Sequence, residues 1–417
     1  MHCSTGMHAG RRSAKIAVLD TIHGGAVIAR KMVDSGLDAV ALEVYHHTAS
    51  LAGFDEVAAP VHLGPNNPHL VEARRLKKKI ITHHQAVGEL LGPALSGVVV
   101  FEVTGTHSKT STALLLATML SRQKKVLSHT TRGLEIWNAG EPRLLKTDLS
   151  ITPGNVIIAA EAAAKQGAEA LICEISLGGT GLADYGILTS LSGDYRIADA
   201  SKWASSAKLQ MVSLARKGAK LLANADARIS ADISFAIGGQ VDARPDRLIF
   251  GNDERALSLG PDLDFMGYQT AIAAASAAAD ASGLERDEIA LALQDFDGFS
   301  GRMKIKRLHG MTFFDNSNSG LKVRDVARAL DRAQGPDLAV VVGEDSETVC
   351  EGLDIPALTD LLRQRRVKIA KLILVGKRLE PLAAELGAET AKNLAEGLGK
   401  AEKGGLERLL SCVKCFR

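Results

Sequence analysis

The sequence predicts an α/β protein whose parallel sheets are covered by helices on both faces. Three observations carry this expectation. Short β-type apolar runs alternate with helical stretches almost from end to end, the pattern that builds parallel sheets. Glycines punctuate the passage from apolar run to helix, as in KIAVLD followed by IHGGAVIARKMVDSG. The 417 residues exceed the ~100–200 of a single domain, so two or three cores are expected.

Taken in order, the first unit reads KIAVLD, IHGGAVIARKMVDSG and DAVALEV, which is strand, glycine turn, helix and strand, and KIITH adds a further strand near residue 83. The turn at Gly24 and Gly25 lacks the G-x-G-x-x-G spacing of a dinucleotide site and reads as a tight strand-to-helix connection. Gly92 and Pro93 then mark a boundary. SGVVVFEVTG opens a second and larger unit with strands in KVLSH, ALICEIS, GILTSLS, AKLLAN and RLIFG. An alanine-rich helix, TAIAAASAAADAS, closes it; small side chains there favour close helix packing. The pattern breaks between Gly298 and Lys306, and a third unit follows with strands in MTFFD, DLAVVVG and KLILVG. Domains are therefore expected over 1–95, 96–303 and 304–417.

Composition excludes several roles. Fifty Lys and Arg nearly balance forty-eight Asp and Glu, so no net field draws nucleic acid or a membrane surface. The longest apolar runs stop well short of the ~20 residues that span a bilayer, and MHCSTGMHAGRRS lacks the apolar core of a signal peptide. A cytoplasmic protein is expected. Five cysteines cannot build a disulfide framework in so long a chain. Cys412 and Cys415 form a lone CxxC at the C-terminus, with no second CxxC or CxxH nearby; two free thiols on a frayed tail are expected rather than half a zinc site.

The stretch VTGTHSKTST, from Val103 to Thr112, lies between an apolar run and the helix-like ALLLATML. Strand, small residues, lysine, hydroxyl residues and helix are the parts of a phosphate loop, in which backbone N–H groups at a helix N-terminus face the anion and a lysine adds charge. The general pattern G-x-x-x-x-G-K-[ST] is met imperfectly: Val103 and Ser108 stand where it has glycine. A nucleotide site also needs a carboxylate for Mg²⁺, which prefers hard oxygen ligands. Glu174 ends the ALICEIS run and Asp194 follows LTSLSG, both after strands, where sites form in parallel sheets.

These stretches together resemble the Mur ligase family, ATP-dependent ligases of three domains. The family's GTNGKT loop corresponds to GTHSKT, Gly105 to Thr110; its E-x-S motif to Glu174, Ile175 and Ser176; and its TNxxxDH stretch to TSLSGDY, where Tyr195 replaces a metal-binding histidine. AKL places Lys208 at the family's carbamylated lysine, and NADA follows at 224–227. In MGYQTAIAAA, Tyr268 and Gln269 replace the family's His and Asn, whereas FSGR keeps the Gly-Arg linker motif and FFDNSNSG resembles the start of the third domain.

The resemblance implies a central P-loop ATPase domain flanked by two Rossmann-like domains, with ATP and Mg²⁺ as cofactors. It further implies that Thr104, Gly105, Thr106, His107, Ser108, Lys109, Thr110 and Ser111 surround the phosphates, Arg302 contacts them, and Asp315 lies near the ribose, with Gln269 at the nucleotide. Thr110, Glu174 and a carbamylated Lys208 would hold metal, and Lys109 would bridge the β- and γ-phosphates. The histidine-rich stretches LEVYHH, ITHHQAVGELLG and VHLGPNNPHL, with the GTHSKTS loop, are most similar to the branch acting on a nickel-containing tetrapyrrole acid. The implied substrate is a small molecule whose propionate-type side chain is activated by ATP and attacked by a ring carbon of the same molecule. A general base for that step is expected among His46, His47, His83, His84 and, foremost, His107; Arg132 is a candidate contact for substrate carboxylates. An amide ligase and a non-catalytic nucleotide-binding regulator stand as the alternatives.

Overall fold

Three large sheets and a two-stranded ribbon, Arg196–Ile197 with Lys202–Trp203, organise the chain in a computed structural model, which describes residues 14–308, 310–345, 352–403 and 405–415; the opening stretch MHCSTGMHAGRRS lies outside them. The first sheet is wholly parallel, in the order Asp38–Leu42, Lys15–Leu19, Glu56–Ala59, Lys79–Thr82. Its strand Glu56–Ala59 escapes a sequence reading because EVAA is short and weakly apolar, yet Val57, Ala58 and Ala59 are buried by their neighbours.

The second sheet has eleven strands. Its parallel centre runs Val126–Thr130, Ala170–Glu174, Val99–Thr104, Tyr185–Leu188, Lys220–Asn224. Antiparallel hairpins extend both edges. The helix Phe265–Ala281 lies against the helix Lys109–Leu120; with alanine at most buried positions, backbones approach closely at small entropic cost. The first and second sheets share one core, in which Val18, Ile28 and Val87 meet Val156 and Leu171. There Gly24, at φ 103°, faces Gly154 so closely that a Cβ on Gly154 would stand 2.6 Å from the Gly24 carbonyl oxygen. The two glycines permit a backbone contact between a turn and a helix.

The third sheet runs Lys304–Leu308, Met311–Asp315, Arg408–Lys414, Leu338–Glu344, Lys371–Val375, Glu389–Ala391. All pairs but the first are parallel. The expected frayed tail is thus corrected: Arg408–Lys414 returns to the middle of the sheet, and Cys412 and Cys415 are buried. Three residues apart along an extended chain, the two thiols face opposite sides. Cys412 joins Phe314 and Val340 in one core, and Cys415 joins Val341 and Ala391 in the other. They can neither pair nor chelate together. Among the described residues no helix is long and apolar enough to cross a membrane.

His83 and His84 open the helix His83–Leu91 and are buried. Burial first, then the neighbouring His83, His62 and Lys208, lowers His84 from 6.5 to about 3. The folded state therefore keeps His84 neutral while the unfolded chain protonates it near 6.5, so unfolding takes up a proton between these values. Its contribution to stability is present above pH 6.5 and is lost as pH falls toward 3. Urea titrations from pH 7 to 4 are expected to show declining stability, with His84→Asn flattening the slope by about 1.4 kcal/mol per pH unit, the value of one proton.

Candidate active site

The three sheets enclose a cleft of about 1030 Å³, the upper end of small-molecule pocket sizes. Its floor is the turn from strand Val99–Thr104 to helix Lys109–Leu120. Gly105, at φ 146°, is forced by crowding: a Cβ there would lie 2.1 Å from Thr189 Oγ1. The Thr106 N–H donates to the Ser190 carbonyl at 2.9 Å and its hydroxyl to the Ser192 carbonyl at 2.6 Å. The His107 carbonyl accepts from the Thr189 hydroxyl at 2.5 Å. A turn so bound from the neighbouring strand's end aims the first N–H groups of a twelve-residue helix into the cleft, and those groups have no partner within the helix. Ser108 occupies the glycine-favouring conformation, φ 63° and ψ −1°.

Lys109, Thr110 and Ser111 line this floor. The Thr110 hydroxyl donates to Glu174 Oε2 at 2.8 Å, and Glu174 is buried at the end of its strand. The Arg302 guanidinium donates from Nη2 to Thr110 at 2.9 Å and to Thr131 at 3.0 Å, and from Nη1 to Asn318 Oδ1 at 3.0 Å. Burial pulls Arg302 below the usual arginine value, opposed by the nearby Glu174. A hydroxyl and a carboxylate converging beside a helix N-terminus are the hard-oxygen donor set that suits Mg²⁺ with phosphate.

Other expected residues stand elsewhere. Gln269 is turned away from the cleft, its amide donating to the Ala243 carbonyl at 3.0 Å, and its neighbour Tyr268 lines the wall. Asp315 is buried behind the wall and accepts from the Gly301 N–H at 3.0 Å; Asn316, Asn318 and Ser319 face the cleft beside it. Thr104 is buried at the strand end. Asp194 accepts from the N–H groups of Tyr195 and Ser205, both at 2.9 Å, and so fixes a loop. Lys208 is fully buried, not on a helix surface, and donates to the Ser176 carbonyl at 2.6 Å. The Tyr195 ring, where the resemblance implied a metal-binding histidine, has the Lys322 ammonium 4.1 Å and the Lys208 ammonium 5.4 Å from its centroid.

Of the candidate bases, only His107 lines the cleft. Burial first, then Arg324, lowers its pKa, so it is held neutral and able to accept a proton. His46 and His47 donate backbone N–H groups to Glu43 in an exposed turn, and His83 and His84 are sealed in the core. Arg132 pairs with Glu135 at 2.8 Å.

The cleft also holds residues that the sequence reading missed. Arg324, Arg328 and Arg332 line it from the helix Val323–Ala333; their spacing of four, which puts them on one face, was the signal available. From the first sheet His23 and His62 line it, both against Asp20. Burial would raise the Asp20 carboxyl, but His62, His23 and Tyr45 outweigh it and hold the group well below the usual carboxylate range.

The fold is that of the Mur ligases and their folate-linked cousins. MurF from Acinetobacter baumannii aligns at TM-score 0.56 and 16% identity over 81% of this chain and 78% of that one. MurC from Thermotoga maritima aligns at 0.53 and 14% over 96% and 95%. A bifunctional folylpolyglutamate synthase/dihydrofolate synthase from Yersinia pestis, solved with AMPPNP and Mn ion, aligns at 0.57 and 16% over 80% and 90%. Residues 305–415 match the family described as coenzyme F430 synthetase CfbE, C-terminal domain. The chain is 39% identical to the coenzyme F(430) synthetase of Methanosarcina acetivorans over 97% of its own length and 99% of the relative's. It belongs to the coenzyme F(430) synthetase family and shares the fold of the Mur ligases.

Ser108→Gly is expected to keep the turn and to raise stability by up to about 1.5 kcal/mol, the left-handed penalty of ~1–2 kcal/mol less glycine's chain-entropy cost of ~0.5–1. Ser108→Val, β-branched, is expected to lose more than ~1 kcal/mol. Denaturation midpoints at unchanged m-value check both.

Proposed function

We propose that this protein is an ATP-dependent ligase that activates a carboxylate of a nickel-containing tetrapyrrole acid as an acyl phosphate and then closes a carbocyclic ring by C-acylation, releasing ADP and phosphate. The observation that carries the reading is the convergence of the Lys109 helix N-terminus, Thr110, Glu174 and Arg302 in one cleft, in a chain of this family. Residues 1–95 and 304–417 would frame the substrate around the nucleotide-binding residues 96–303.

A carboxylate oxygen is a poor leaving group, and phosphorylation removes that obstacle. Lys109 meets the β- and γ-phosphates, the N–H groups from Gly105 to Lys109 cradle them, and Arg302 neutralises charge that builds during transfer. Mg²⁺, when held by Thr110 and Glu174, neutralises phosphate charge; a carbamate on Lys208 would add a second anionic ligand beside Ser176. The acceptor carbon belongs to the same bound molecule, which removes most of the entropic barrier to encounter. That carbon bonds to the acyl carbon, phosphate departs with the C–O bonding pair, and the proton on the acceptor carbon passes to a base, for which His107 is the neutral imidazole at the loop. Arg324, Arg328 and Arg332 suit an acidic substrate.

Incubation of the protein with ATP, Mg²⁺ and the open-ring nickel tetrapyrrole acid is expected to yield ADP, phosphate and a product lighter by one water. ADP release that instead requires an added amine would move the reading to amide formation. Lys109→Ala is expected to abolish turnover, and Glu174→Ala to lower kcat/KM by at least ~10²-fold, the size of one lost transition-state electrostatic contact. Phosphate release at the wild-type rate by both variants would remove the site.

A further inference from the structure

Four side chains at the ends of strands of the first sheet converge on one point, and two of them, His23 and His62, line the cleft. Asp20 follows the strand Lys15–Leu19, Tyr45 follows Asp38–Leu42, and His62 follows Glu56–Ala59; these are three adjacent strands of a parallel sheet. His23 comes from the turn between Asp20 and the first helix. The carboxyl ends of neighbouring parallel strands are where such folds assemble sites.

Asp20 Oδ2 lies 2.7 Å from His23 Nδ1, 3.3 Å from His62 Nε2 and 2.8 Å from the Tyr45 hydroxyl. The hydroxyl is itself 3.2 Å from His23 Nδ1. Three polar atoms around one carboxylate oxygen exceed its two lone pairs, and His62 Nε2, though buried, is not aligned for a hydrogen bond with any described residue. The other oxygen, Oδ1, accepts the N–H groups of Ile22 and His23 at 3.0 Å each, which fixes the direction in which Oδ2 points. Asp20 is held at φ 69° to do so, a strained conformation that persists where the surroundings impose it. The donor atoms of Asp20, His23 and His62 all lie within 4.8 Å of one another.

We propose that Asp20, His23 and His62 form a binding site for a first-row divalent transition cation of the Zn²⁺ or Co²⁺ type, with an open coordination position facing the cleft. Two imidazoles and one carboxylate suit such ions and not Mg²⁺ or Ca²⁺, which take oxygen ligands. The backbone bonds to Oδ1 and the Tyr45 hydroxyl are the outer contacts that orient a ligating carboxylate. Three protein ligands leave a fourth position, and His23 and His62 line the cleft, so an anionic oxygen of a cleft-bound molecule completes the sphere.

The site is tested on the full chain, stripped by chelator and equilibrated with Co²⁺ or Zn²⁺ in excess Mg²⁺. The metal-to-protein ratio after gel filtration and the visible spectrum of bound Co²⁺ are the readouts. One equivalent is expected, unaffected by Mg²⁺, with affinity falling at least ~10-fold in Asp20→Asn and in His62→Ala, the minimum seen even for losing an outer contact. His62→Cys restores a ligand and is expected to recover binding with a thiolate-to-cobalt band, which separates loss of a ligand from loss of the fold. Wild-type protein that takes up no cation, its Asp20 and imidazoles acting as a hydrogen-bonded cluster only, overturns the assignment. So does unchanged affinity in the His23→Ala/His62→Ala double variant. Neither measurement needs turnover, so a failure here leaves the ligase reading standing.

Discussion

The half-buried guanidinium of Arg302 is the joint on which the cleft depends. Removing a cation from water is costly unless its protons find acceptors, and here its two terminal nitrogens donate to Thr110 and Thr131 beside the central sheet and to Asn318 beside the third. The partners come from segments nearly two hundred residues apart, so satisfying one charge requires the two sheets to meet. Glu174, bonded to the same Thr110 hydroxyl, supplies the compensating negative charge. The cluster at the helix N-terminus and the contact between sheets therefore share one set of hydrogen bonds.

The phosphate turn shows how packing selects conformation over residue type. Gly105 is required because Thr189 and Ser190 close over it, whereas the strain at Ser108 lies in its own backbone, at φ 63°. A serine there is tolerated because the helix behind it, from Lys109, is bound on both sides by buried apolar residues such as Leu114 and Leu115. The cost falls on one residue and the core of the largest sheet absorbs it. Where the resemblance implied a histidine, the Tyr195 ring instead has the Lys208 and Lys322 ammonium groups near it.

Much of the fold was legible in the residues. Runs such as SGVVVFEVTG, ALICEIS and DLAVVVG are strands because they are predominantly apolar and buried on both faces, and Ala170–Glu174 ends at an acid that reaches the cleft. The turn, Lys109, Thr110 and Glu174 were readable for the same local reason, since each sits at a strand's carboxyl end. EVAA and the closing RLLSCVK were not readable. Their burial comes from neighbours supplied by distant segments, and in the second case by a strand whose partners start at Met311 and Leu338.

What the sequence alone determined is the alternation of strands and helices, the loop with its lysine, and the membership of an acid and an arginine in one motif series, because each rests on local patterning within a dozen residues. Only the tertiary structure decided which side chains meet. It turned Gln269 and Asp315 away from the cleft and sealed His83 and His84 in a core. It also brought Asp20, His23, Tyr45 and His62 to one point, since their convergence depends on the lateral order of three parallel strands. That order is set by which apolar faces bury one another, a relation between segments that no stretch of residues expresses by itself.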